Sequence, residues 1–224
     1  MEFKLFKKLA SLEGAELYLL LAAAAVFLVL LIAVIRYRRK AKTEPAAAAE
    51  KPSRTRALVY GALCITLAFV LSYFKLFSMP FGGSITLVSM LPVFAYAAFF
   101  GPAYGFTAAF AYSLLQVVQG AYIVHPVQFV LDYFVAFTCL GLASLFPKKL
   151  PLGAGVAGVA RMLVSTVSGA VFFKQAGLDY GIADPWIYSL AYNALTIGVD
   201  TALCVIVAAL PPVRKLFTRI FGQR

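Results

Sequence analysis

Six apolar runs follow one another at 57–74, 85–100, 103–118, 127–146, 153–173 and 185–210, and a seventh precedes them at 17–35. A helix needs about 20 apolar residues to cross the hydrocarbon of a bilayer. A chain in that medium has no water for its backbone N–H and C=O groups, so each run is read as a helix. Composition agrees: 62% of the residues are hydrophobic and only 13% are charged, which is the balance of a polytopic membrane protein.

The charges set the expected topology. The formal net charge is +11, and the Lys and Arg residues are gathered in short segments between apolar runs. That is the positive-inside pattern of a membrane protein; a nucleic-acid-binding domain would spread basic and polar residues over a soluble fold. RYRRKAK directly follows the run at 17–35. A signal peptide carries its positive cluster before the apolar core, so this segment is read as a retained helix with the N-terminus outside. Ahead of it, Phe3, Phe6, Leu9 and Leu12 recur at the spacing of a short interfacial helix. The expected organisation is an interfacial segment and extra transmembrane helix at 1–41, a cytoplasmic linker at 42–56 and a six-helix bundle at 57–224. PKK at 147–149 and VRKLFTRIFGQR at the C-terminus are basic and read as cytoplasmic. SMPFGG, GAYIVHP and KQAGLDYGIAD carry little charge and read as external. The chain is therefore expected in the plasma membrane of a prokaryote, with its C-terminus in the cytoplasm.

Within the bundle, GAYIVHPVQFVLDYFVAF at 120–137 places Asp132 in an apolar helix. A carboxylate at that depth costs on the order of 3 kcal/mol on insertion scales, so it calls for a partner, a cavity or a ligand. Gln128, four residues earlier, shares its face. Tyr122, the chain's single histidine His125, and Tyr133 lie close by. Two readings stand side by side: a ligand contact, or an internal ion pair with Arg161 of the fifth run in a structural or assembly protein. The last run adds Trp186, Asn193 and Asp200, seven apart and on one helical stripe, with Ser189 on it and Tyr188 and Tyr192 beside it. A carboxylate, amides, phenols and an indole near one side suit a small, polar, aromatic and above all cationic solute.

Other motifs narrow the function. GAGVAG at 153–158 imitates a dinucleotide fingerprint, but no strand precedes it; its small residues favour close helix packing. The sequence has no phosphate-binding loop, HExxH or G-x-S-x-G, and no nucleophile beside a base, so neither an enzyme, a metal site nor a cofactor is expected. Cys64, Cys139 and Cys204 lie singly inside apolar runs and read as packing residues. Ala62 and Thr66, at small-xxx-small spacing, suit close contact with another helix of this chain or of a partner.

The stretch GAYIVHPVQFVLDYFVAFTCLGLASLF at 120–146 resembles the thiamine-specific substrate-binding (S) components of energy-coupling factor transporters. GGSITLVSMLP at 82–92, SGAVFF at 168–173 and PWIYSLAYN at 185–193 extend the resemblance. It implies a six-helix bundle that binds thiamine or a related small vitamin at its external side. It implies no ATPase activity, and docking on a transmembrane coupling protein with two ABC-type ATPases. By the same resemblance, Tyr122, Gln128, Asp132 and Tyr133 line the vitamin site with Tyr188 and Asn193, Phe173 or Trp186 stacks on a ring, and Ala62 and Thr66 face the coupling protein. Tyr112 falls near another aromatic site position. The sequence departs from the family at Ser165, where members commonly have histidine. It also departs at Gly83 and Leu87, where some have Trp and Glu, and at Asp132, where some have Glu. These departures leave a thiamine precursor, its pyrimidine fragment or another vitamin as an alternative ligand. The extra N-terminal helix lies outside the family's basic plan.

Overall fold

The computed structural model describes residues 53–147 and 149–221. The interfacial segment, the extra helix and most of the linker lie outside the described residues. Within them the chain is helical apart from one small hairpin. Helix α1 spans Arg54–Tyr73, and a hairpin follows with β1 at Lys75–Ser78 and β2 at Ser84–Thr86. Next come α2 (Leu91–Phe100), α3 (Pro102–Gly120), α4 (Pro126–Leu145), α5 (Leu150–Phe172) and the short α6 (Lys174–Asp179). Helix α7 (Pro185–Ala209) and the amphipathic α8 (Pro211–Phe221) complete the chain. α1, α4, α5 and α7 are long and apolar enough to cross a membrane.

Local sequence explains where the helices begin. A proline sits in the first two positions of α2, α3, α4, α5 and α7, where its missing N–H is no loss and its fixed φ suits the helix. Side chains cap two of these starts and that of α1: Ser53 accepts from the Arg56 amide at 3.2 Å, His125 Nδ1 from the Val127 amide at 3.2 Å, and Asp184 from the Trp186 amide at 2.7 Å. The Ser53 cap puts the start of α1 inside the segment read as linker, which therefore ends earlier than 56.

The core centres on α2. Every residue from Leu91 to Ala98 is buried, as expected of a helix that is apolar all round. It packs between α1, α3, α4 and α5. Here the structure corrects the reading of the second apolar run: residues 85–90 are not helical. They complete β2 and turn into α2 through Val88, whose φ is +50°.

Between transmembrane helices lipid supplies no hydrophobic drive, so association depends on close packing. α5 meets α7 through glycines: a Cβ at Gly158 would collide with the Thr201 side chain, and one at Gly169 with the Ser189 hydroxyl. GAGVAG is thus a packing motif. Cys64, Cys139 and Cys204 are all buried.

Both α4 and α7 contain a widened turn. α4 is π-helical over Val130–Val135 and tightens to a 3-10 helix over Cys139–Leu145; α7 is π-helical over Ala194–Gly198. The C-terminal ends of α1, α3 and α5 meet the N-terminal ends of α4 and α7 at one end of the bundle. The hairpin lies at that end.

Candidate functional site

A cavity of about 190 Å³ opens at this end. Its wall includes residues from α1, the hairpin, α3, α4, α5 and α7, and Asp132 is part of it. α4 holds that carboxylate in place through Gln128, which is buried. Gln128 Nε2 donates to Asp132 Oδ2 at 2.8 Å and to the Tyr122 carbonyl at 3.1 Å, while its Oε1 accepts from the Val124 amide at 3.1 Å. One side chain therefore fixes both the acid and the loop before α4. Asp132 lies within the π turn, a geometry that recurs at functional sites.

Aromatic rings surround the acid. Tyr122, Tyr133, Phe137, Phe173, Tyr188 and Tyr192 all line the cavity, as does Phe81 from the hairpin turn. Phe173 stacks with Tyr122 at 6.0 Å and meets Phe81 edge-on at 5.9 Å. The Tyr133 hydroxyl accepts from the Tyr122 amide at 2.8 Å. Ser165 and Asn193 also line the cavity, and Asn193 Nδ2 donates to the Ser189 carbonyl at 2.9 Å.

The hairpin is pinned to α7 at two points. The Gly83 amide donates to the Tyr192 hydroxyl at 2.9 Å, and that hydroxyl donates to the Pro80 carbonyl. Deeper down, Thr86 Oγ1 donates to Asp200 Oδ2 at 2.9 Å. The turn requires a left-handed backbone at Phe81 and Gly82, with φ of +61° and +88°.

Eight of the eleven residues expected at a site line this cavity: Tyr122, Gln128, Asp132, Tyr133, Ser165, Phe173, Tyr188 and Asn193. Three do not. Trp186 shares the stripe of Asn193 but sits in the first turn of α7, about 10 Å further along the axis by helical rise, and is 45% exposed. Tyr112 points into the core, edge-on to Phe137 at 5.6 Å, with its hydroxyl 3.5 Å from the Ala68 carbonyl. His125 caps α4 and stacks on Phe172 at 4.9 Å.

The Asp132–Arg161 ion pair is not formed: no contact within 4.0 Å joins them among the described residues. The Arg161 guanidinium lies over the Phe137 ring at 3.9 Å, and its Nη1 is 2.8 Å from Met90 sulfur. Among the described residues no carboxylate oxygen lies within 4.0 Å of the guanidinium, and Arg161 lines the cavity.

Several lining residues were missed by sequence reading. Ser72, Gln116 and Gln119 form a polar wall opposite the acid; Ser72 Oγ donates to Gln119 Oε1 at 2.9 Å and accepts from Gln116 Nε2 at 3.1 Å. Two glutamines three apart near the end of α3 share a helix face, which was a readable signal. Lys75, just after α1, lines the mouth. Ala62 and Thr66 are exposed on α1, beside exposed Leu58, Val59, Leu63 and Leu67.

A helical membrane bundle with an open cavity that sets Asp132 among aromatic rings, with Lys75 and Arg161 also in the lining, is built as a membrane solute carrier component. The chain belongs to the thiamine transporter protein family (Thia_YuaJ), whose model matches residues 58–219. Thiamine transporter ThiT of Bacillus subtilis (strain 168) is 33% identical over 150 residues, covering 59% of this chain and 77% of that relative. The fold is similar to a solved structure of ThiT from Listeria monocytogenes, with a TM-score of 0.58 at 24% identity over 73% of this chain and 98% of that one. The matched region therefore has the mainly helical membrane architecture expected from the sequence, with the small hairpin added.

Proposed function

We propose that this chain is the substrate-binding subunit of an energy-coupling factor uptake transporter and that it takes thiamine into the cavity around Asp132. The observation that carries the proposal is the pairing of one oriented carboxylate with an aromatic wall. The thiazolium of thiamine is a permanent cation on a flat ring. A carboxylate offsets such a charge, and aromatic faces attract it by cation–π interaction. Tyr122, Tyr133, Phe173 and Tyr188 supply those faces, and Gln128, Ser165 and Asn193 supply polar contacts for the aminopyrimidine. Membership of the thiamine transporter family supports the same ligand.

The cavity lies at the bundle end opposite Lys149 and the basic residues of α8. By the positive-inside rule that end faces outward, so thiamine would enter from the external side. The chain would rely on partner ATPases, through a coupling protein that meets the exposed Ala62–Thr66 strip of α1.

Isothermal titration of the purified full chain with thiamine tests this function. Saturable binding at or below micromolar concentration is expected. Absence of heat with thiamine, together with binding of another vitamin, rejects thiamine as the ligand. A second reading keeps the subunit but changes its ligand to the pyrimidine fragment. It is favoured by two small residues in the wall, Ser165 and Gly83, at positions where the resembled family commonly has histidine and where some of its members have tryptophan. Titration with hydroxymethylpyrimidine in parallel separates the two.

A further inference from the structure

α8 plays no part in the cavity, and its surface is divided cleanly. Along its single turn-by-turn axis, Arg214, Lys215, Thr218 and Arg219 fall on one side, at i, i+1, i+4 and i+5. Val213, Leu216, Phe217 and Ile220 fall on the other, at i, i+3, i+4 and i+7. Pro211, Arg214, Lys215, Thr218 and Arg219 are all exposed along one side of the helix. The helix contains no acidic residue.

Its placement is equally specific. α7 crosses the bilayer by length and composition, and α8 follows it after Leu210, so α8 starts where the hydrocarbon ends. Its far end is fastened back to the bundle. Phe221 packs against Tyr60 at 5.4 Å, Phe99 at 5.3 Å and Phe100 at 5.7 Å. Arg56 Nη2 donates at 3.4 Å to the carbonyls of Ile220 and Phe221, closing a helix end that would otherwise leave its last acceptors unmet. Tied at both ends, α8 cannot turn its basic side inward without breaking these contacts. Leu216 stays 52% exposed beside the basic groups. An apolar side meeting a basic side at the membrane boundary is the arrangement of an interfacial helix on anionic lipid.

We infer that Arg214, Lys215 and Arg219 of α8 form a binding site for the headgroups of anionic phospholipids at the membrane surface. Their charge matches the phosphodiester, their exposure leaves them open to a headgroup, and the exposed Leu216 beside them meets the acyl chains.

The test uses the purified full chain in neutral detergent. Phosphatidylglycerol and phosphatidylcholine are titrated in separate samples and bound lipid is counted by native mass spectrometry. The wild-type chain is expected to prefer phosphatidylglycerol. Lys215→Gln is expected to weaken that preference roughly fivefold, and the triple substitution R214Q/K215Q/R219Q about 100-fold, on the usual strength of one basic residue near an anionic surface. The charge-keeping pair R214K/R219K should retain it. Thermal midpoint and thiamine titration on the same samples report the fold. Lys215 makes no described side-chain contact, so its variant stays informative even if the triple one misfolds. No preference for phosphatidylglycerol in the wild type, or an unchanged preference in folded Lys215→Gln and triple variants, overturns the inference.

Discussion

Gln128 and Asp132 sit one turn apart on α4, and the amide of the first holds the carboxylate of the second at 2.8 Å while also gripping the Tyr122 carbonyl. Asp132 is therefore oriented before any ligand arrives. Asp132→Asn keeps the shape and still offers an oxygen to Gln128, but removes the charge. Thiamine affinity should fall 10- to 150-fold, the range for a hydrogen bond to a charged group at about 1.5–3 kcal/mol. Titration calorimetry gives the affinity, and a melt without ligand should move little. A large drop in that melt with affinity kept would assign Asp132 a structural role instead.

The hairpin should behave as a latched cover. Tyr192→Phe removes the hydroxyl that meets both the Gly83 amide and the Pro80 carbonyl. Losing two such bonds at about 1 kcal/mol each should raise the thiamine off-rate by up to roughly 30-fold. Stopped-flow fluorescence of the chain's single tryptophan can follow release. An unchanged off-rate would mean that the hairpin does not gate exit.

Trp186 and Tyr112 serve as negative controls. Neither lines the cavity, so Trp186→Phe and Tyr112→Phe should each leave thiamine affinity within about twofold, since substitutions away from binding contacts are generally near neutral. A tenfold loss in Trp186→Phe would show that the first turn of α7 reaches the ligand.

Arg161 and Asp200 should be coupled in stability. Both are deeply placed, and Asp200 keeps one oxygen, Oδ1, without a hydrogen-bond partner. No ion pair within 4.0 Å joins them among the described residues, so their coupling acts through space and should be on the order of 1 kcal/mol. Arg161→Leu alone should be destabilising, and Arg161→Leu with Asp200→Leu should recover about that much. Denaturant unfolding in micelles measures the cycle; strictly additive effects would mean the two charges act independently.

How much of this was legible follows from where each residue sits. Gln128 and Asp132 lie near the start of α4, and four-residue spacing placed them on one face as the structure does. Trp186 shares a face with Asn193, but spacing does not say how far along the axis the cavity reaches. The hairpin was hidden because SITLV is apolar and runs into the next span, so hydropathy merged strand and helix. Pro80 with Gly82 and Gly83, just before that run, was the turn signal. Of the two readings of Asp132, the ion pair with Arg161 is not formed, because Arg161 sits instead over Phe137 and beside Met90. Such contacts emerge only on packing.

The widened turns of α4 and α7 carry a last consequence. A π turn holds one residue more than an α turn, so each of these helices contains a surplus position beside the cavity. Deleting one residue within 194–198 would let α7 relax to regular helix. The widened turn takes up the extra residue, so the segments on either side would stay nearly in register. The change would fall on the bulge itself, where Thr196 and Ile197 line the cavity. The shape of the binding wall therefore depends on the number of residues in these turns as much as on their identity.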